Sequence, residues 1–103
     1  MKYQDFCKAL ETAEKESRFD DFRFSISLNH PNIDDRTANI IWRMKYAHIN
    51  IRHIRACSEM TQAAFSKAYG IPKRSLEDWE ADRRHPPAYL YKLLAFSVYM
   101  DAL

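Results

Sequence analysis

The sequence predicts an all-α protein, and three observations carry that prediction. A single glycine, Gly70, occurs in 103 residues, and only four prolines accompany it. Helix-favouring Ala, Leu, Lys and Glu are plentiful. Apolar residues recur at steps of three and four along most of the chain, and the glycine and prolines cut that pattern into segments. The length allows one compact domain, or a small domain with an extension. The expected architecture is a mainly helical N-terminal extension over residues 1–33, then a bundle of about five helices over residues 34–103.

Tyr3, Phe6, Cys7, Leu10 and Ala13 stand at helical spacing with Lys and Glu between them, which predicts an amphipathic helix from Tyr3 to Glu16. The next stretch reads two ways. Phe22, Phe24, Ile26 and Leu28 alternate with Arg23, Ser25 and Ser27 as in a half-buried strand, yet Phe19, Phe22 and Ile26 also fit a helix turn. A true strand would need a partner and would point to pairing across a dimer. Asn29-His30-Pro31-Asn32 ends this segment. Asp34 or Asp35 can cap a new helix. Ile40, Met44, Ala47, Ile51 and Ile54 sustain it to Cys57, with Trp42, Tyr46 and Ile49 as a second apolar stripe. After Pro86-Pro87 comes a last helix, apolar nearly all round.

Composition excludes several classes. With 47% hydrophobic and 29% charged residues the chain is ordinary for a globular protein, and no run of 18 apolar residues suggests a membrane span. The first ten residues carry charges and no apolar signal core, so secretion is not expected. Cys7 and Cys57 are far apart and in no metal-type spacing, which fits a reduced, cytoplasmic setting. The four histidines likewise offer no zinc spacing. One glycine cannot build a phosphate loop or a nucleophile elbow, so neither enzyme chemistry nor a cofactor is expected. The formal charge of +2 is small, but its excess lies in residues 50–87, with seven basic and five acidic residues.

Residues 61–81 read TQAAFSKAYGIPKRSLEDWEA. Thr61 is a good N-cap, and Gln62 at the first helical position can reach an anion at the helix N-terminus. Phe65 and Tyr69 form an apolar edge, and Ser66 is small where a second helix would cross. Gly70 supplies the left-handed residue that stops the helix. Ile71 can plug the corner, and Pro72 suits the start of the next helix. Leu76 and Trp79 face inward, leaving Lys73, Arg74, Glu77 and Asp78 outward. Two short helices joined by a tight turn, the second presenting polar side chains, follow the helix-turn-helix design.

The pattern T-Q-x-x-φ-S-x-x-φ-G-I-P-x-R-S-L-x-x-W-E, then R-R-x-P-P, resembles the Cro/repressor (xenobiotic-response-element type) helix-turn-helix family over residues 50–90. The resemblance implies a double-stranded-DNA-binding transcriptional regulator of phage or bacterial origin, commonly a repressor or autorepressor. It implies a recognition helix from Pro72 to Ala81, with Lys73, Arg74, Ser75 and Asp78 at base-facing positions. Gln62, Arg83, Arg84 and His85 fall where the family holds phosphates. Arg55 and Glu80 match a buried ion pair tying the family's first helix to its third. The acids Glu77 and Asp78 depart from a simple anion-binding face, since a carboxylate in the major groove can accept from cytosine N4 but is repelled by phosphates.

Two further expectations concern partners. The apolar C-terminal helix is either monomer core or a two-fold homodimer interface, with Tyr89, Leu93, Phe96, Tyr99 and Met100 as candidates. Residues 1–45 match no family motif. A rival reading therefore gives the N-terminal segment a protein partner, as in an antitoxin or an inhibitor of a host defence protein such as an anti-CRISPR.

Overall fold

The computed structural model describes residues 1–46 and 50–103. Across them run α1 (Tyr3–Lys15), α2 (Phe19–Asn29), α3 (Asp35–Arg43), α4 (Ile51–Ser58), α5 (Gln62–Tyr69), α6 (Lys73–Glu80) and α7 (Ala88–Ala102), and the described residues contain no strand.

Helix α1 buries Phe6, Ala9, Leu10 and Ala13, spaced three and four apart, and leaves its Lys and Glu residues outside. Its C-terminal end is closed from a distance. The Lys45 ammonium donates to the Glu16 carbonyl at 2.9 Å and lies 3.8 Å over the Trp42 ring. A cation at that end complements the helix dipole, and its contact with the ring adds cation–π attraction.

Residues 19–29 are helical, which corrects the strand alternative. A step of two residues turns a helix by about 200°, so short alternation can mimic a strand. The four-residue step decides the matter: Phe22 and Ile26 are buried, while Phe24 and Leu28 face solvent. Arg23 then ties α2 to the start of α3. Its Nε donates to Asp35 Oδ1 at 3.0 Å and its Nη2 to the Ile33 carbonyl at 2.9 Å.

The expected continuous helix to Cys57 is two helices. Asp34 caps α3 by accepting from the Thr37 N–H at 2.8 Å, and the helix ends at Arg43. Helix α4 starts afresh at Ile51, where the Asn50 side chain accepts from the Arg52 N–H. The parts of the expected apolar stripes at Ala47 and Ile49 lie outside the described residues. Asn50 carried the signal that the stripe of isoleucines masked, because an Asn directly before an apolar run is itself a cap.

Helices α1, α2 and α3 pack on one another, and α4 packs on α5 and α6. Helix α7 lies against both groups, through α1 and through α4. One hydrophobic core results, running from Phe6 and Phe22 through Ile54, Phe65 and Leu76 to Val98 and Tyr99. The extension assigned to residues 1–33 is therefore a working part of the same core.

Helices α4, α5 and α6 each have eight residues; a left-handed residue directly follows the first two, Glu59 (φ 62°) and Gly70 (φ 67°), and another, Asp82 (φ 63°), follows α6 after Ala81. No helix among the described residues is long and apolar enough to cross a membrane.

Candidate nucleic-acid interface

The candidate surface is built on α5 and α6. Thr61 starts α5, its hydroxyl accepting from the Ala64 N–H at 3.1 Å. Gly70 stops it, and the Ile71 N–H reaches back to the Ser66 carbonyl at 3.0 Å. A side chain at Gly70 would meet nothing within 4 Å, so its left-handed φ alone favours glycine there. Ser66 is buried as expected for a crossing point, and its hydroxyl has no hydrogen-bond partner among the described residues. Pro72 sits at the N-cap of α6.

An ion-pair network fixes how α6 is turned. Glu80 closes α6 and is almost fully buried. Arg55 on α4 grips it side-on: Nε donates to Oε2 at 2.7 Å and Nη2 to Oε1 at 2.8 Å. The third Arg55 nitrogen donates to the Met60 carbonyl at 3.0 Å, holding the α4–α5 connection as well. Gln62 adds a longer bond from Nε2 to Glu80 Oε1 at 3.3 Å. Burial would push the Glu80 carboxyl up, but the bonds from Arg55 and Gln62 and the charges of Arg55 and Arg52 hold it below the usual range. The bond to Glu80 likewise raises Arg55, against its own partial burial.

With that network in place, the candidate residues divide. Lys73 and Arg74 are exposed at the first turn of α6, and Ser75 beside them is half-buried. Asp78 is not on the outer face: it is 6% exposed, and its Oδ1 accepts from Arg83 Nε at 2.9 Å. This corrects the base-facing assignment of Asp78, whose carboxylate is already engaged within the chain. Glu77 alone of the two acids remains toward solvent, half-buried. Gln62, expected at a phosphate, has its amide drawn to Glu80. Arg83, Arg84 and His85 are exposed in the loop after α6, with His85 Nδ1 3.5 Å from Asp82 Oδ1.

Sequence reasoning missed Arg52. Its Nη2 donates to the Glu80 backbone carbonyl at 2.6 Å, placing a cation at the C-terminal end of α6. The clue was its spacing: Arg52 and Arg55 are three apart and so share a face of α4.

Helix α7 corrects one of the dimer candidates. Tyr99 is 1% exposed and belongs to the monomer core, its ring centroid 5.0 Å from that of Phe6. Phe96 is half-buried against Tyr3 and Phe6. Tyr89, Leu93 and Met100 remain exposed. A helix apolar on every side gives no sequence cue to which side meets the core, so only the fold separates these residues.

Elsewhere, a cavity of about 550 Å³ is lined by Arg36, Arg43, Glu59, Tyr69 and Asp101 among others. Tyr69 donates to Asp101 at 2.8 Å and Arg36 to the Ala102 carbonyl at 2.7 Å, so both tie into the end of α7. Cys57 also lines it, and burial raises its thiol. Among the described residues no group of three His, Cys, Asp or Glu side chains is placed to hold a metal.

No family model matches the chain, and neither do curated proteins or solved structures.

Proposed function

We propose that α5 and α6 form a Cro/repressor-type helix-turn-helix and that the chain binds double-stranded DNA sequence-specifically, as a cytoplasmic transcriptional repressor or autorepressor. The observation that carries this reading is the Arg55–Glu80 fork, which sets the rotation of α6 and leaves Lys73 and Arg74 uncovered at its first turn. A helix so anchored at its C-terminal end offers its N-terminal residues to the major groove. Lys73, Arg74 and Ser75 then read base edges, with Arg74 suited to guanine O6 and N7. Arg83, Arg84 and His85 hold phosphates, joined by Gln62 once its long bond to Glu80 is exchanged. A second copy docks along Tyr89, Leu93 and Met100 with the edge of Phe96, giving two recognition helices for a palindromic site.

Selection from a random duplex library tests this reading, run beside a Lys73→Ala/Arg74→Ala variant. The expected result is one enriched motif, an inverted repeat for a dimer, that the variant fails to enrich. Wild type that enriches nothing at moderate salt overturns it. One observation favours a second reading, a protein-binding module: α2 exposes Phe24 and Leu28 one turn apart, at 68% and 69%. Under the DNA reading, Phe24→Ser/Leu28→Ser leaves the selected motif unchanged.

A further inference from the structure

Two arginines meet at one carboxylate oxygen on the edge of α6. Asp78 Oδ1 accepts from Arg83 Nε at 2.9 Å and stands 3.7 Å from Arg74 Nε. The Asp78 carbonyl also accepts from the backbone N–H groups of Arg83, at 2.9 Å, and Arg84, at 3.4 Å. One residue therefore holds the loop after α6 by its backbone and the Arg83 guanidinium by a hydrogen bond, while its charge draws the Arg74 guanidinium to ion-pair distance. Asp78 is buried, yet both arginines stay open to solvent, with side-chain exposures of 85% for Arg74 and 59% for Arg83. Each approaches through Nε, and among the described residues no hydrogen bond occupies the Nη groups of either. A guanidinium held at Nε turns its two Nη groups away as a fork, the geometry that matches guanine O6 and N7 or a pair of phosphate oxygens.

We propose that Asp78 is a positioning residue that aims the Arg74 fork at a guanine edge and the Arg83 fork at the phosphate beside it. This rests on the DNA reading above and deepens it: base readout and backbone grip share one internal carboxylate. The carboxylate cancels one positive charge of the pair. It therefore weakens attraction to any DNA while orienting the forks for one sequence, which favours discrimination over bulk affinity.

The test compares the selected duplex with a scrambled duplex of equal length, for wild type, Asp78→Ala, Asp78→Asn, Arg74→Ala and Arg74→Ala/Asp78→Ala. Asp78→Ala should lower the ratio of specific to scrambled affinity roughly tenfold, with scrambled binding equal or tighter. Asp78→Asn, which keeps an acceptor oxygen, should recover part of the ratio. In the Arg74→Ala background Asp78→Ala should change the ratio much less than it does in wild type. Repeating the selection with Asp78→Ala should flatten preference at a guanine and leave the other positions alone. An unchanged ratio overturns the proposal while leaving the DNA reading intact, as does a new base preference, which would make Asp78 a direct reader. Wild type that selects no motif overturns both. Nitrogen relaxation of the arginine Nε–H groups gives a readout free of DNA and of folding yield. Arg83 Nε–H should be ordered in wild type and mobile in Asp78→Ala, and equal mobility in the two overturns the proposal.

Discussion

Helices α1, α2 and α3 bury Phe6, Ala9, Leu10, Ala13, Phe22, Ile26, Ala38 and Ile41, whereas α4, α5 and α6 bury only Ile51, Ile54, Phe65 and Leu76 among their apolar side chains. The second group has half as many buried apolar residues and shorter helices, yet it must present a surface at a fixed angle. Its polar interior supplies what the apolar part lacks. Apolar burial is non-directional: it holds helices together without fixing how an eight-residue helix is turned about its axis. A guanidinium gripping a carboxylate by two bonds is directional, and Arg55 on Glu80 fixes that rotation. The N-terminal group has no such need, and its polar ties, Arg23 to Asp35 and Lys45 to Glu16, sit at helix ends.

The contrast can be broken by substitution, from the N-terminal core outward. Phe6→Ala removes a ring packed against Phe96 and Tyr99 and should cost about 3–5 kcal/mol in urea unfolding. Its loss should leave the pH profile of stability unchanged in shape. Glu80→Gln strands the Arg55 charge and should cost about 3 kcal/mol by the same measurement. Unlike the first variant, it should alter the acid limb. A carboxyl held low in the fold contributes stability that is complete above its unfolded value, about 4.3, and is lost as pH falls through the folded one. Glu80→Gln should therefore flatten stability below that value. Asp34, lowered by its hydrogen bonds with Thr37, contributes to the slope that remains. An acid limb identical in wild type and Glu80→Gln would mean the fork contributes nothing directional or electrostatic to α6.

The smallest effect lies where the two groups are joined by α7. Tyr69 ends α5 and donates to Asp101, and burial together with that carboxylate pushes its phenol up to about 12. Its neutral form is favoured in the fold, so its contribution is complete below the unfolded value, about 10, and fades as pH rises through about 12. Tyr69→Phe should cost about 1 kcal/mol and remove one late-ionising tyrosine from an ultraviolet absorbance titration. Amplitude lost from the ordinary range near 10 instead of from the late component would show that Tyr69 is not bound to Asp101 in solution.

What could be read from the residues followed how local the cause was. The caps at Asp34 and Thr61 and the stop at Gly70 act over three or four residues, and each lies where its residue type predicts. The strand alternative at 22–28 and the continuous helix to Cys57 failed because periodicity over a short window does not register a break or separate two periods that coincide. Asp78 was misplaced for a different reason. Its hydrogen-bond partner is Arg83, five residues on in an irregular loop, and no helical wheel brings those two side chains together. Tyr99 could not be told from Tyr89 by pattern, since α7 is apolar all round and only Phe6 shows which side is inside.

The left-handed residues after α4, α5 and α6 have a consequence for how this chain can change over generations. Eight helical residues and then a reversal of hand, direct after α4 and α5 and one residue later after α6, form a phrase used three times, and the length of each phrase sets the bearing of the next. One residue inserted within α5 would swing everything after it by about 100° and carry Glu80 away from Arg55. The outward letters of α6 can be rewritten at little cost to the fold, because Lys73 is exposed and Arg74 makes only one long ion pair, to Asp78 at 3.7 Å. Among relatives, insertions and deletions should therefore be rare between residues 51 and 82. They should gather instead at joints such as Glu16 to Arg18, where the backbone is extended and no count of residues has to be kept.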